Sequence, residues 1–346
     1  MTIDFAKDGL RYHMLGWHWR RQFGGRTWKV SLDAGCSCPH AQRGGCIFCN
    51  PLSFSTLRRE EDDVSHSPIL TTLETIETTT PLNLLLPELS VEQVTAEVSR
   101  QLAVGTAAIE ARCLRRGCEP IRRVVAYFQP GTNTYGDPGR LRTIFTAAIH
   151  DPRVVGLSIG TRPDCLSDAV VSMLATLAHQ TSLCVELGVQ SLSDRSLRWL
   201  ERGHDAQSSR EAIWRLAQQG VAVGVHLICG IPGESRAETL DTIRQLNELP
   251  IHAVKLHNLH AVRETRLAQM IEQKTVELIT LDAFASLATD MIERLRPEIV
   301  IDRIGGESPP ELLVAPAWSR AASAARNAVQ AELQRRHTYQ GIYLQQ

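Results

Sequence analysis

Four apolar segments of this chain alternate with a period of two, and the two faces separated by that alternation differ in kind. From Cys184 to Gln190, Val185, Leu187 and Val189 share one face while Glu186, Gly188 and Gln190 share the other, because successive side chains of a strand point to opposite sides. From Val221 to Ile228, Val221, Val223, Val225 and Leu227 oppose Ala222, Gly224, His226 and Ile228. Val154 to Gly160 sets Gly156, Ser158 and Gly160 together, and Ala253 to His257 does the same for Lys255 and His257. One face is oily and the other is small or polar.

An ordinary buried parallel sheet reads as continuous apolar runs, and an ordinary eight-stranded barrel fills its interior with branched residues. A polar inner face predicts instead a lumen that holds a ligand, with helices covering the oily outside. From residue 91 onward strand-like runs alternate with helical patterns, the mark of repeated βα units. Six strands are expected, starting near residues 27, 122, 154, 183, 221 and 251, with a later strand near Glu298 to Ile304. That predicts an α/β fold, a partial (βα)6 TIM-like barrel open on one side.

At 346 residues and a formal net charge of -1, the chain is enzyme-sized, and no global field draws it to nucleic acid or an anionic membrane. Its nine cysteines form an odd set with no apolar leader before them, which predicts a reducing, cytoplasmic setting. No apolar run reaches the length of a membrane span, so no membrane role is expected. The first 29 residues interleave Arg11, Arg20, Arg21, Arg26 and Lys29 with Tyr12, Trp17, Trp19, Phe23 and Trp28. Such a segment can grip single-stranded nucleic acid, or it can form a flap whose rings cover a barrel edge while the arginines stay in water. Residues 56 to 90, with the run Glu60-Glu61-Asp62-Asp63, read as a surface excursion leading to a helix.

The chemistry is concentrated in Cys38-Pro-His-Ala-Gln-Arg-Gly-Gly-Cys46-Ile-Phe-Cys49. Three thiolates suit an iron–sulfur cluster with one iron left for an outside molecule, or a structural zinc completed by His40 or Cys36. Cys113 and Cys118, on a helix, have poor ligand spacing. His257 and His260 fall on opposite faces of a continuing strand, which argues against a metal site there.

Further segments bear on that choice. The cysteine loop, Tyr127-Phe-Gln-Pro-Gly-Thr-Asn-Thr134, Gly160-Thr-Arg-Pro-Asp-Cys165, Glu186-Leu-Gly-Val-Gln190-Ser191, Arg202-Gly-His-Asp205, Leu227-Ile-Cys-Gly-Ile-Pro-Gly-Glu234, Val254-Lys-Leu-His257 and Pro316-Ala-Trp318 together resemble the radical S-adenosylmethionine (SAM) enzymes. Within them the resemblance is to the Elongator-like, YhcC-type group, and it covers nearly the whole chain. It implies a radical SAM barrel over residues 27–265, a flap over 1–26 and a C-terminal α/β extension over 266–346.

The resemblance also implies a [4Fe–4S] cluster held by Cys38, Cys46 and Cys49, with SAM bound at the remaining iron and cleaved reductively to a 5'-deoxyadenosyl radical. Here the spacing is C-x7-C-x2-C where the superfamily's commonest pattern is C-x3-C-x2-C. Cys36 competes as first ligand, but Cys38 carries the following proline of the YhcC-type pattern. Phe48 matches the aromatic residue near the adenine, and Gly131 and Thr132 match the segment that receives the SAM amine, where Gln129 and Pro130 replace glycines of many relatives. Gln190 and Arg202 match contacts to ribose and carboxylate, His226 replaces an acidic ribose contact, and Ile228 opens the adenine-facing segment.

Glu186 is a carboxylate expected inside the barrel, where an unpaired charge is expensive. Arg162 and Lys255 are its expected partners, and with His257 these form a set of cavity residues. RNA, tRNA above all, is the substrate class the resemblance implies, with an electron donor such as flavodoxin or ferredoxin. The rivals are hydrogen abstraction from a small molecule or porphyrin-type substrate, and a non-catalytic zinc-stapled RNA-binding module.

Overall fold

Each period-two segment becomes a strand, and the strands join edge to edge in nearly the order of the chain. The computed structural model describes residues 5–50, 53, 90–321 and 323–344; the acidic run and the threonine-rich tract of the surface excursion lie outside the described residues. The strands are β1 (Trp28–Leu32), β2 (Val124–Phe128), β3 (Val154–Thr161), β4 (Ser182–Gln190), β5 (Ala222–Cys229), β6 (Ala253–Asn258), β7 (Ala261–Val262), β8 (Val300–Ile304) and β9 (Leu313–Ala315). Seven of them form one parallel half-barrel sheet in the order β1-β2-β3-β4-β5-β6-β8. The later strand near Glu298 thus supplies a seventh position, pairing Ala253 with Val300 and Val254 with Ile301. β7 and β9 make a separate antiparallel pair.

The helices are α1 (Leu15–Phe23), α2 (Val91–Arg115), α3 (Pro138–Ile149), α4 (Asp168–Ala178), α5 (Asp194–Trp199), α6 (Ala206–Gln218), α7 (Arg236–Asn247), α8 (Arg266–Glu272), α9 (Leu281–Arg294) and α10 (Ala324–Arg335). Their starts follow from local chemistry. Ser167, Ser193, Asp205, Thr265 and Thr280 each accept a hydrogen bond from a first-turn amide, which satisfies a donor that the helix leaves unpaired. Ser90 with Gln93 and Ser235 with Glu238 form reciprocal capping boxes. Among the described residues no helix is long and apolar enough to cross a membrane.

The main core lies between sheet and helices. Val185, Leu187, Val189, Val223, Val225 and Leu227 are all buried there with Leu174, Ile213, Phe284 and Ile292, at roughly 1.5–3 kcal/mol of stabilisation for each large apolar side chain. The oily face of every strand therefore points outward to the helices, and the polar face is left to line the lumen.

The N-terminal segment closes the base of the barrel. The Ile301 amide donates to the His13 carbonyl at 2.8 Å, the His18 ring lies 4.9 Å from that of His252, and Gln22 donates to Ser182 at 3.1 Å. Those partners stand at the N-terminal ends of β8, β6 and β4. Buried Gln340 draws the far end of the chain to the same place: its amide nitrogen donates to the Arg296 and Ile299 carbonyls at 2.7 and 2.9 Å, and its oxygen accepts from His13 N–H at 2.8 Å. Arg21 and Arg26 lie over the rings of Trp17 and Trp28 at 4.9 and 4.2 Å.

Candidate active site

The cysteine loop leaves the C-terminal end of β1, the opposite end of the barrel from α1. Its middle is anchored by one apolar residue: Ile47 is buried with Leu200, Ile228, Ile231, Leu259 and Leu267. Backbone bonds fix its height, with Ile47 N–H donating to Leu200 O at 3.2 Å and Leu267 N–H to Ile47 O at 2.9 Å. Arg266 donates to Gly45 O at 2.9 Å and pairs with Glu201. His40 bonds the Glu201 carbonyl at 2.6 Å. Gly203, with φ +72°, packs so closely on the His40 ring that a Cβ there would lie 2.6 Å from it.

Two arginines face the thiols. Arg202 donates through Nη1 to Cys46 Sγ at 3.1 Å and through Nη2 to Gly188 O at 2.7 Å. Burial alone would raise the Cys46 thiol, but the Arg202 charge, a His40 hydrogen bond and Arg162 outweigh it and bring the thiol down to about 6. Cys49, although exposed at the end of the loop, is raised by desolvation of its sulfur and by charge on Cys46 and Cys38. Cys36 is also pushed up to about 12 by burial and then by Asp33; it packs against the main core, whereas Arg162 feels the charges of Cys38 and Cys46. Among the described residues no three His, Cys, Asp or Glu side chains form a site for a single metal ion.

The donor chemistry fits a larger, anionic cluster. One loop presents three thiols to two guanidinium groups, and Arg202 Nε and Arg162 Nη1 are buried without a hydrogen-bond partner among the described residues.

Other residues expected to touch SAM gather around this loop. Gly131, with φ +73°, lies against the Cys36 carbonyl, and a Cβ there would overlap that oxygen at 1.9 Å. Thr132 is buried beside Asn133, whose amide nitrogen reaches the carbonyls of Phe128, Pro130 and Gly160 at 2.9–3.1 Å. Gln190 has φ +69° at a break in the β4–β5 register, a distortion suited to redirecting a side chain beside a site. A Cβ on Gly188 would lie 3.1 Å from both Gln190 and Arg202, so both side chains border that glycine. Phe48 and Ile228 join the apolar cluster around Ile47.

Deeper in the lumen, Glu186 is the centre of an ion network. Its Oε1 accepts from Lys29 at 3.0 Å and from Ser158; its Oε2 accepts from Lys255 and lies 2.7 Å from His226 Nε2. Lys29 also donates to Asp302 at 2.7 Å, and Lys255 to the Tyr127 hydroxyl at 2.9 Å. Burial would raise the Glu186 carboxyl, but Lys255 and Lys29 hold it well below the usual range. Burial keeps His226 below its ordinary value, with Lys255 adding to the effect.

Two expectations need correction. Arg162 does not reach Glu186: it is held at the barrel mouth by Asp164 at 2.9 Å and by the Arg202 carbonyl at 2.7 Å. Lys29 belongs not with the exposed arginines but inside the barrel, because it alternates with Val30 on β1. Lys29, Asp302 and Tyr127 are site residues that the sequence reading does not single out, and it considers His40 only as a zinc ligand. The alternation of β1 could have found Lys29, but nothing local signals that His40 meets the turn after α5.

A polar-lined half-barrel with a three-cysteine loop at its open end defines a class of enzyme. Residues 37–246 match the model of the Radical SAM superfamily and residues 251–335 that of the Radical_SAM C-terminal domain. The chain belongs to the radical SAM superfamily, whose enzymes use a [4Fe–4S] cluster and SAM.

Within it, the chain falls in the Elongator-like, YhcC-type group. It is 31% identical to YtqA of Bacillus subtilis over 99% of this chain and 96% of that one, and 30% identical to YhcC of Escherichia coli over 88% and 87%. A tRNA uridine(34) acetyltransferase of Dehalococcoides mccartyi matches at 30% over 49% of this chain and 36% of its own. The solved structure of Methanocaldococcus infernus Elp3 shares the fold at 18% identity, with a TM-score of 0.59 over 69% of this chain and 60% of its own.

Proposed function

We propose that this enzyme cleaves SAM reductively to a 5'-deoxyadenosyl radical that abstracts hydrogen from an RNA substrate, with tRNA the first candidate. Cys38, Cys46 and Cys49 would hold the cluster, which supplies the electron for that cleavage. The observation that carries the reading is the contact of Arg202 with Cys46 at 3.1 Å at the open end of a polar-lined barrel. Arg202 stabilises a thiolate there, and Gln190 beside it offers an amide to a ribose or carboxylate. Cys36, turned to the core, supports Cys38 as first ligand. Phe48 and Ile228 supply an apolar wall suited to a flat base. Gly131, Thr132 and the carbonyls around Asn133 offer acceptors to an ammonium group.

RNA is supported by the likeness of part of the chain to tRNA uridine(34) acetyltransferases. It is not supported by Arg20, Arg21 and Arg26, which belong to the segment at the base, away from the cysteines.

The test is anaerobic reconstitution followed by SAM and a low-potential reductant, with 5'-deoxyadenosine as the readout and Cys46→Ala as control. We expect a brown protein whose product falls to background in the variant, and a rise in turnover when tRNA is added. A colourless, iron-free protein would overturn the reading, and failure of tRNA to raise turnover would overturn its RNA part.

A further inference from the structure

We propose that the lumen receives an uncharged, hydrogen-bonding part of the substrate, and that His257 is the residue that positions it. This rests on the lumen being the substrate chamber of the enzyme proposed above.

Charge pairing in the chamber points to the class of substrate. Lys29 is paired with Glu186 and Asp302, and Lys255 with Glu186, 3.7 Å from Asp302. Arg303, near the mouth, is occupied by Glu307 at 2.9 Å and the Gly305 carbonyl at 3.1 Å. Two cations thus meet two carboxylates in the depth of the barrel, and neither cation is left for an incoming anion. A phosphate or carboxylate entering there would have to displace a buried ion pair, which leaves a charge uncompensated at a cost of several kcal/mol. An uncharged group meets no such barrier.

His257 offers an unpaired group to receive it. The β5–β6 register sets His226 beside Lys255 and Ile228 beside His257. His257 therefore stands one layer above the ion network, level with the residue that packs on Ile47 of the cysteine loop. Its ring lies 5.4 Å from that of His226. Its Nε2 is buried and has no hydrogen-bond partner among the described residues, a state that costs free energy until something bonds to it. Burial, with His226 and Arg303 nearby, holds the imidazole well below its ordinary value, so it is neutral. A neutral imidazole offers one donor and one acceptor, which suits the amide-like edge of an uncharged heterocycle such as a nucleobase. It does not suit a polycarboxylate.

The test is binding, read by ligand-observed NMR on reconstituted, SAM-loaded, unreduced protein. Uridine, cytidine, adenosine and guanosine are the uncharged probes; their 5'-monophosphates and coproporphyrin are the anionic ones. We expect at least one nucleoside to bind, and its monophosphate to bind no more than about threefold tighter, since a phosphate would gain no lumen cation. His257→Ala should weaken nucleoside binding by about tenfold, the effect of losing one bond to a buried partner, while His257→Gln, which keeps a donor and an acceptor, should stay within about threefold.

Asp302→Asn, which removes one carboxylate from Lys29, should shift the preference toward the monophosphate by about tenfold. Absence of binding by every nucleoside, anionic probes binding more than about threefold tighter to the unaltered protein, or unchanged binding in His257→Ala would each overturn the proposal. Iron content and 5'-deoxyadenosine formation, measured on the same preparations, separate that failure from failure of the radical SAM reading.

Discussion

The two ends of the barrel are built from the same strands and follow opposite rules. At the base, many polar groups are matched to partners: Lys29 meets Asp302 and Glu186, His13 meets Gln340 and the Pro297 carbonyl, and Gln340 satisfies three backbone groups. At the mouth, nitrogens of Arg162 and Arg202 are buried without partners, a thiol is drawn toward its thiolate, and Gln190 and Gly131 adopt positive φ. Such features cost stability and persist where function needs them. The base is not free of such features, since Arg296 Nε is buried there without a partner among the described residues, but at the mouth they gather around the thiols.

The contrast can be broken most sharply at Glu186. Glu186→Gln leaves two lysines with one remaining carboxylate in the lumen, and we expect a loss of about 3–5 kcal/mol, as for other broken buried pairs. Urea unfolding of the iron-free protein measures it. A loss below about 1 kcal/mol, the range of exposed pairs, would mean that the base is not held by charge.

A smaller effect is expected from the histidines under the barrel. Burial, with His252 and His13 beside it, lowers His18 to about 4. The unfolded chain therefore takes up a proton near pH 6.5 that the folded protein refuses until near pH 4, so stability is lost as pH falls through that window. The full shift would correspond to about 3.4 kcal/mol, and because the ring is partly exposed to screening solvent the expected change is roughly 2 kcal/mol. Unfolding midpoints between pH 7 and pH 4 should fall less steeply in His18→Gln than in the parent, and equal slopes would remove His18 from the account.

The smallest effect sharpens the comparison from the other side. Reversing Arg20, Arg21 and Arg26 to glutamate alters the segment that packs at the base, and SAM cleavage should change by less than about twofold, because screened charges act over roughly 10 Å. A large fall in 5'-deoxyadenosine without loss of iron would mean that the two ends communicate.

Much of this was legible in the sequence for a simple reason. Period-two alternation reports which residues share a face, so it alone places Glu186, Lys255, His257 and Ser158 in a lumen. Alternation does not report which residue on one strand meets which on another. The partner of Glu186 depends on register, and the shift between β6 and β8 at Val254/Lys255 brings Asp302 toward Lys29 in a way no local pattern encodes. Lys29 was obscured by its company, a run of exposed arginines and tryptophans. The bracing of the cysteine loop by Glu201, Gly203 and Arg266 joins segments more than 150 residues apart in the chain, and only folding brings them together.

The ion pair between Lys29 and Asp302 spans 273 positions of sequence. During synthesis at about 5–20 residues per second, the lysine emerges roughly 14–55 s before its partner exists. Glu186 is made first, 157 positions after the lysine, but until Asp302 follows the pair lacks its second carboxylate and the half-built sheet lacks its last edge. The ribosome thus imposes a schedule in which the chamber is sealed underneath only after the last strand of its sheet has been made.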